Sequence, residues 1–243
     1  MTSALASPST LPSGSIRAVC LDIDDTLVDY ETSARSGLTA LLGHDDAWPA
    51  WRRTTDLHHL RYHAGEVDFD TMRRERTKEF FAGLGEELDD GEAAEREEHR
   101  LSCISRTWRL FDDAWPCLEW LKASGLRLAV ITNAASLYQR RKLAAVGLID
   151  TFDHLVISEE LGIGKPDPMI FHTACEALGV APSETIHVGD RLDLDASGAV
   201  DAGLHGVWLD RRGEADRVPV GVSVISSLTE LPDLVFPRLP SPR

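Results

Sequence analysis

Cysteine is scarce in this chain and poorly placed for framework chemistry: its four residues, Cys20, Cys103, Cys117 and Cys175, form no C-x-x-C pair. That excludes a zinc knuckle and a disulfide-stapled scaffold and fits a reduced, cytoplasmic setting. No apolar run approaches the ~18–20 residues of a membrane-spanning helix, the longest tracts being strand-like pieces around 129–131 and 155–157. A soluble protein with no membrane partner is expected. Residues 1–15 hold no Lys or Arg and no apolar block, so no secretion address is expected either. Basic charge is short: 25 Lys and Arg face 40 Asp and Glu, and the net charge of −15 repels a polyanion, which argues against nucleic acid as a partner. Extremes of composition are missing as well. At 43% hydrophobic and 27% charged, the chain is neither disordered nor fibrous. Its 243 residues suit one large domain or one domain with an insertion.

What is present is an alternation. Short β-branched runs at 16–21, 127–132, 154–158, 185–188 and 206–209 read as strands. Helical patterns at 136–146, 168–178 and 195–202 lie between them, each followed by a glycine (Gly147, Gly179, Gly203) where a helix end favours one. Strand and helix in alternation imply an α/β fold with a doubly wound parallel sheet. The long stretch after the first strand has almost no strand signal but has apolar positions at helical spacing, Leu101, Ile104, Trp108 and Phe111. It reads as an inserted helical subdomain. The expected organisation is a loose tail over 1–15, a core over 16–29 and 113–230, a helical insertion over 30–112, and a Pro-rich tail over 231–243. The acidic run 86–98 reads as a solvated loop and helix start.

The chemistry concentrates at strand ends. The apolar strand at Val19 runs into Asp22, Asp24, Asp25 and Asp29. Buried carboxylates repel one another and lose hydration, so they persist where a cation or a reaction uses them. In extended backbone Asp22 and Asp24 project to one face and can converge on one bound group. Thr132 and Asn133 end the next strand, offering a hydroxyl and backbone N–H groups to an anion. Lys165 sits in GIGKPDP, and only four of the 25 basic residues are lysines, so a compact charge there is informative. HVGDRLDLD then brings Asp190, Asp193 and Asp195, of which Asp193 reads as a cap or a solvated residue. Carboxylates with no His or Cys among them select a hard cation such as Mg²⁺, which takes one or two carboxylates, waters and phosphate oxygens. All these residues fall on the sheet edge where open α/β sheets bind ligands.

DIDDT with the following LVD, then ITN, GKPDP and GDRLDLD with its following SGA resemble, in that order, the four motifs of the haloacid dehalogenase (HAD) superfamily. The resemblance spans about 16–209 and implies a HAD-like core, with the insertion similar to that superfamily's C1-type helical cap. It implies Asp22 as a nucleophile forming an aspartyl-phosphate and Asp24 as the acid and then the base. Clustered negative charge from Asp22 and Asp190 would favour the protonated form of Asp24 needed for the first job. Mg²⁺ would be held by Asp22, the Asp24 carbonyl and Asp190, with Asp195 in support, and phosphate by Thr132, Asn133 and Lys165. Dehalogenases of the superfamily lack the second aspartate, so its presence points to a phosphatase acting on a small phosphorylated metabolite. The D-D-T form, with Asp25 where many relatives carry Gly, resembles the branch containing acylneuraminate-9-phosphatases and some pyrimidine nucleotidases.

Within the insertion, Arg52, Arg53, Arg61, Arg73, Arg74, Arg76, Trp48, Trp51, His58, His59 and Tyr62 are candidate contacts to a sugar or base, each weighed against ordinary packing. A phosphomutase would share the catalytic set. A phospho-aspartate signalling receiver fits the spacing less well, and an idle binding protein would not need the whole set. Oligomeric state is not legible.

Overall fold

Ala18–Leu21 is a run of four fully buried residues, and such a run makes a strand covered on both faces. It is β1 of the computed structural model, which describes residues 16–236. The helices α1 (Tyr30–Leu42), α2 (Trp48–His63), α3 (Phe69–Gly83) and α4 (Asp90–Ser105) follow. Then come α5 (Ala114–Ala123), β2 (Arg127–Thr132), α6 (Ser136–Ala145), β3 (His154–Ile157), α7 (Ser158–Leu161) and α8 (Pro168–Leu178). The chain continues through β4 (Thr185–Gly189), α9 (Gly198–Asp201), β5 (His205–Leu209), β6 (Val222–Ile225) and α10 (Leu231–Val235).

The six strands form one parallel sheet in the order β3-β2-β1-β4-β5-β6. The order reverses at β1, whose neighbours β2 and β4 run away to opposite sides, and such a switch point leaves a crevice at the C-terminal strand ends. Ala18 and Cys20 pack with Ala129, Ile131 and Val156 against Ile170, Phe171, Ala174 and Leu178 of α8. This is the α/β architecture expected from the sequence. β6 was not expected, and residues 231–235, placed in a tail by the sequence, form α10: Leu231 and Val235 are buried, because two apolar residues spaced one turn apart can seat a short helix. The proposed tail over 1–15 and the end of the other, 237–243, lie outside the described residues.

The described residues divide into two compact units, 16–28 with 110–236, and 29–109. The sequence pattern places these borders at 29/30 and 112/113. In the helical unit, α1 packs on α4 and α3 packs on both α2 and α4. Gly37 makes the first contact close, since a Cβ there would lie 2.6 Å from Ile104. Of the expected stripe only Ile104 is fully buried, because α4 ends at Ser105 and Trp108 and Phe111 lie beyond it. The core of this unit holds Trp48, Trp51, Phe80, Phe81 and Leu88.

Glu97 corrects the solvated reading of the acidic run. It is buried and receives Arg76 Nη2 at 2.6 Å and Arg100 Nη2 and Nε at 2.6 and 2.8 Å. Both guanidinium groups lie over the Trp51 ring, 4.6 and 4.8 Å from its centroid. Burial would raise the Glu97 carboxyl, but Arg100 and Arg76 outweigh it and hold it at about 2. Arg76, Trp48, Trp51 and His58, offered above as ligand contacts, are thus interior residues of this unit, and His58 Nε2 lies 2.8 Å from Glu79. Glu97→Gln removes the carboxylate charge that two buried guanidinium groups share and is expected to cost about 3 kcal/mol in urea unfolding. A loss under about 1 kcal/mol, the size of an exposed pair, would contradict this account. The folded pKa lies below the ordinary 4.5, so this stabilisation is present above pH 4.5 and fades as pH falls toward about 2.

Candidate functional site

The site belongs wholly to the sheet unit. Asp22 continues β1, its N–H donating to the Val188 carbonyl at 2.9 Å, so its side chain leaves the sheet at the switch point. A tight turn follows: Leu27 and Val28 both donate to the Ile23 carbonyl, and Asp25 takes a positive φ of 58°. An L-residue accepts that conformation rarely, and Asp is among those that do. Thr26 is buried within the turn, with its hydroxyl 3.4 Å from Asp22 Oδ2.

Lys165 is the hub. It is buried, and Nζ donates to Asp22 Oδ1 at 2.6 Å, Asp195 Oδ1 at 2.6 Å and the Ile131 carbonyl at 2.9 Å. Asn133 fastens the loop that carries it: Oδ1 accepts the Lys165 N–H at 2.7 Å and Nδ2 donates to the Lys165 carbonyl at 2.8 Å. Gly164 permits this latch, since a Cβ there would come within 2.7 Å of Asn133 Oδ1. Thr132, the last residue of β2, is buried, and its hydroxyl oxygen accepts from Gln139 Nε2 at 3.0 Å.

Asp190 follows β4, and Asp195 comes from a wide π turn over Leu192–Ser197 in which Ala196 donates back to the Arg191 carbonyl. A regular helix over 195–202 was expected. The wide turn replaces its first part and returns the Asp195 side chain to the Arg191 N–H at 3.1 Å. Gly189 leaves room for it, since a Cβ there would overlap the Asp195 carboxylate at 2.2 Å. Asp193 is exposed and pairs with Arg191.

Electrostatics separates the carboxylates. Burial pushes Asp22 up; Lys165 pulls it back and Asp195 and Asp24 push again, for a net value of about 7. Burial, then Asp22, Asp195 and Asp25, raise Asp190 well above the usual carboxylate range. Burial would raise Asp195 too, but Lys165 and His187 hold it below that range. Asp22, Asp190 and Asp195 bring carboxylate oxygens within 4.8 Å of one another, a set that can receive a cation. Asp195 is already engaged by Lys165, His187 at 3.0 Å and the Arg191 N–H. Asp22 and Asp190 are the members whose repulsion a cation would relieve, and all-oxygen donors suit a hard divalent ion.

All seven residues expected from the sequence lie on this strand edge. Three further participants were not expected. Lys142 of α6 is fully buried and places Nζ 2.5 and 2.7 Å from the Asp24 oxygens, and Gln139 reaches toward the same carboxylate at 3.5 Å. The negative surroundings expected for Asp24 thus include a cation. His187 backs Asp195 from β4, and burial lowers its imidazole pKa. One signal was available: lysine is as rare at 142 as at 165.

Comparison with known proteins agrees with this geometry. A family model described as haloacid dehalogenase-like hydrolase matches residues 16–203. Phosphoserine phosphatase of Thermus thermophilus is 44% identical over 106 residues, 44% of this chain and 43% of that one. Glyceraldehyde 3-phosphate phosphatase of Methanopyrus kandleri is 40% identical over 45% of this chain and 47% of its own. The matches to these two span about half of each relative's length or less. N-acylneuraminate-9-phosphatase of Mus musculus is 29% identical over 90% of this chain and 94% of its own. Among solved structures, YfnB of Bacillus subtilis superposes with a TM-score of 0.78 at 22% identity, covering 92% of this chain and all of that one, a likeness of fold. A HAD phosphatase from Thermococcus onnurineus gives 0.58 at 30% identity over 91% of this chain and 98% of its own. With its model matched across most of the chain, this protein belongs to the haloacid dehalogenase-like hydrolase family.

Proposed function

We propose that the protein is a Mg²⁺-dependent phosphatase that hydrolyses a small phosphomonoester through an aspartyl-phosphate on Asp22. The observation that carries this reading is the Asp22 carboxylate at the switch point, held on one oxygen by Lys165, with a second aspartate two residues on. An Asp22 oxygen attacks phosphorus as the ester P–O bond breaks, and the leaving oxygen takes a proton from Asp24. Water then attacks the aspartyl-phosphate, giving its proton to Asp24, and the bond to Asp22 breaks to release inorganic phosphate. The Thr132 hydroxyl and the Asn133 N–H hold phosphate oxygens through both steps, and Lys165 joins them by giving up one of the three contacts its ammonium makes in the free site. Asp22, Asp190 and the Asp24 carbonyl would hold Mg²⁺, with Asp195 in support, and its charge offsets the repulsion between carboxylate and phosphate.

The relatives named as phosphatases support this reading over carbon–halogen cleavage, as does Asp24 itself, which a dehalogenase does not need. Specificity is assigned to the helical unit, the cap of this reading, whose outward residues Arg52 and Arg53 remain candidates. The compartment proposed is the cytoplasm. All four cysteines are free thiols, which suits a reducing setting. Among the described residues no helix is long and apolar enough to cross a membrane.

The test is phosphate release from phosphoserine, glyceraldehyde 3-phosphate, a 9-phosphorylated sialic acid and nucleoside monophosphates, with and without Mg²⁺. Release from none of them would overturn the reading. Metal binding has its own signature. Asp22 rises from an ordinary 3.8 to about 7 on folding, so the metal-free folded chain binds more protons than the unfolded one and this group weakens stability as pH rises from about 4 to about 7. A cation at Asp22 and Asp190 removes that penalty. Mg²⁺ is therefore expected to raise the melting temperature more at pH 7.5 than at pH 5, and equal shifts at both would place the ion elsewhere.

A further inference from the structure

Helix α6 sends two side chains, three residues apart, to one carboxylate. Lys142 has no exposed surface, although its helix neighbours Arg140 and Arg141 face solvent. Its Nζ contacts both oxygens of Asp24, and the Tyr138 ring flanks it at 4.9 Å. Gln139 Nε2 donates to Thr132 Oγ1 at 3.0 Å and lies 3.5 Å from Asp24 Oδ2. An ammonium loses its hydration on burial and persists where it has a defined partner. Here the partner is a side chain one third exposed to solvent, so the buried ammonium is the fixed member of the pair and holds a carboxylate that still reaches solvent.

We propose that Lys142, assisted by Gln139, is a positioning residue that fixes the rotation of the Asp24 carboxylate for proton delivery to the leaving oxygen. The proposal rests on the reading of Asp24 as the acid. A lone aspartate turns about χ1 and χ2, and a two-point contact from a buried anchor removes that freedom. Gln139 extends the arrangement to the phosphate side. By filling an acceptor position of the Thr132 hydroxyl it leaves that hydroxyl's own proton to donate toward a phosphate oxygen. One helix face thus registers the acid against the group it must reach.

The experiment compares kcat/KM for two substrates, p-nitrophenyl phosphate, whose phenolate leaves without a proton, and a primary alkyl phosphate, whose alkoxide needs one. Asp24→Asn sets the reference: its loss on the alkyl ester should exceed its loss on the aryl ester by about 10²-fold or more. Lys142→Met should show the same contrast at about tenfold, and Lys142→Arg should recover part of it. Gln139→Leu, which leaves every charge in place, reads the same contrast in the same direction if Lys142→Met does not fold. Equal losses on both esters from Lys142→Met and Gln139→Leu, with the contrast intact in Asp24→Asn, would make α6 a structural support only and overturn the proposal. No contrast in Asp24→Asn would remove the acid assignment itself and this proposal with it.

Discussion

Asp22→Asn is expected to lower phosphate release by about 10⁴-fold or more while the chain remains folded, because an amide cannot form the covalent intermediate and the rest of the site cannot replace that step. The fold should tolerate the change well. The carboxylate is buried, and its neighbours Asp195 and Asp24 repel it, so removing its charge relieves the metal-free chain. The amide oxygen can still accept from Lys165, the contact made at 2.6 Å in the native site. The pairing of lost turnover with an unchanged or raised melting temperature separates a nucleophile from a structural aspartate. A variant that retained native turnover would exclude Asp22 from the reaction.

Lys165→Ala is expected to damage both turnover and stability. It removes a stabiliser of phosphate charge, for which losses of about 10²-fold or more are usual. It also leaves the Asp22 and Asp195 carboxylates and the Ile131 carbonyl without their shared donor. Breaking a buried ion pair from one side costs about 3–5 kcal/mol. Burial alone would lower the Lys165 pKa, yet Asp195 and Asp22 raise it above that of an ordinary lysine, so its charge is integral to the fold. Urea unfolding and steady-state turnover measure the two losses separately. Native values of both would remove Lys165 from the centre of the site.

The strands were legible because parallel, buried strands are written as unbroken apolar runs, as at Ala18–Leu21 and over 128–131 within β2. The strand-end residues were legible because carboxylates and a rare lysine stand where apolar runs stop. α8 matched its expected span, with Pro168 at its start and Gly179 in the left-handed conformation at its end. Lys142 was hidden by its surroundings. In SLYQRRKLAA it reads as part of a solvated basic face, and only the packing of α6 shows that it points the other way. Glu97 was hidden likewise in an acidic run whose other members are exposed. The wide turn before α9 has no compositional signature, since it is set by Asp195 reaching its own backbone.

The helical unit begins and ends at one place. Asp29 donates its N–H to the Arg109 carbonyl at 3.0 Å, and its carboxylate accepts from Arg109 Nε at 3.0 Å and Nη2 at 2.5 Å. For the folding of the sheet this changes the size of the problem. An unstructured insert would make β1 find β2 across a loop of about 105 residues, with a closure entropy that grows with length. A pre-folded insert delivers its two ends already joined, so the sheet closes a loop of about 24 residues instead. Whatever loosens the helices also lengthens that loop. Glu97, remote in sequence from every strand, therefore bears on how readily the sheet assembles.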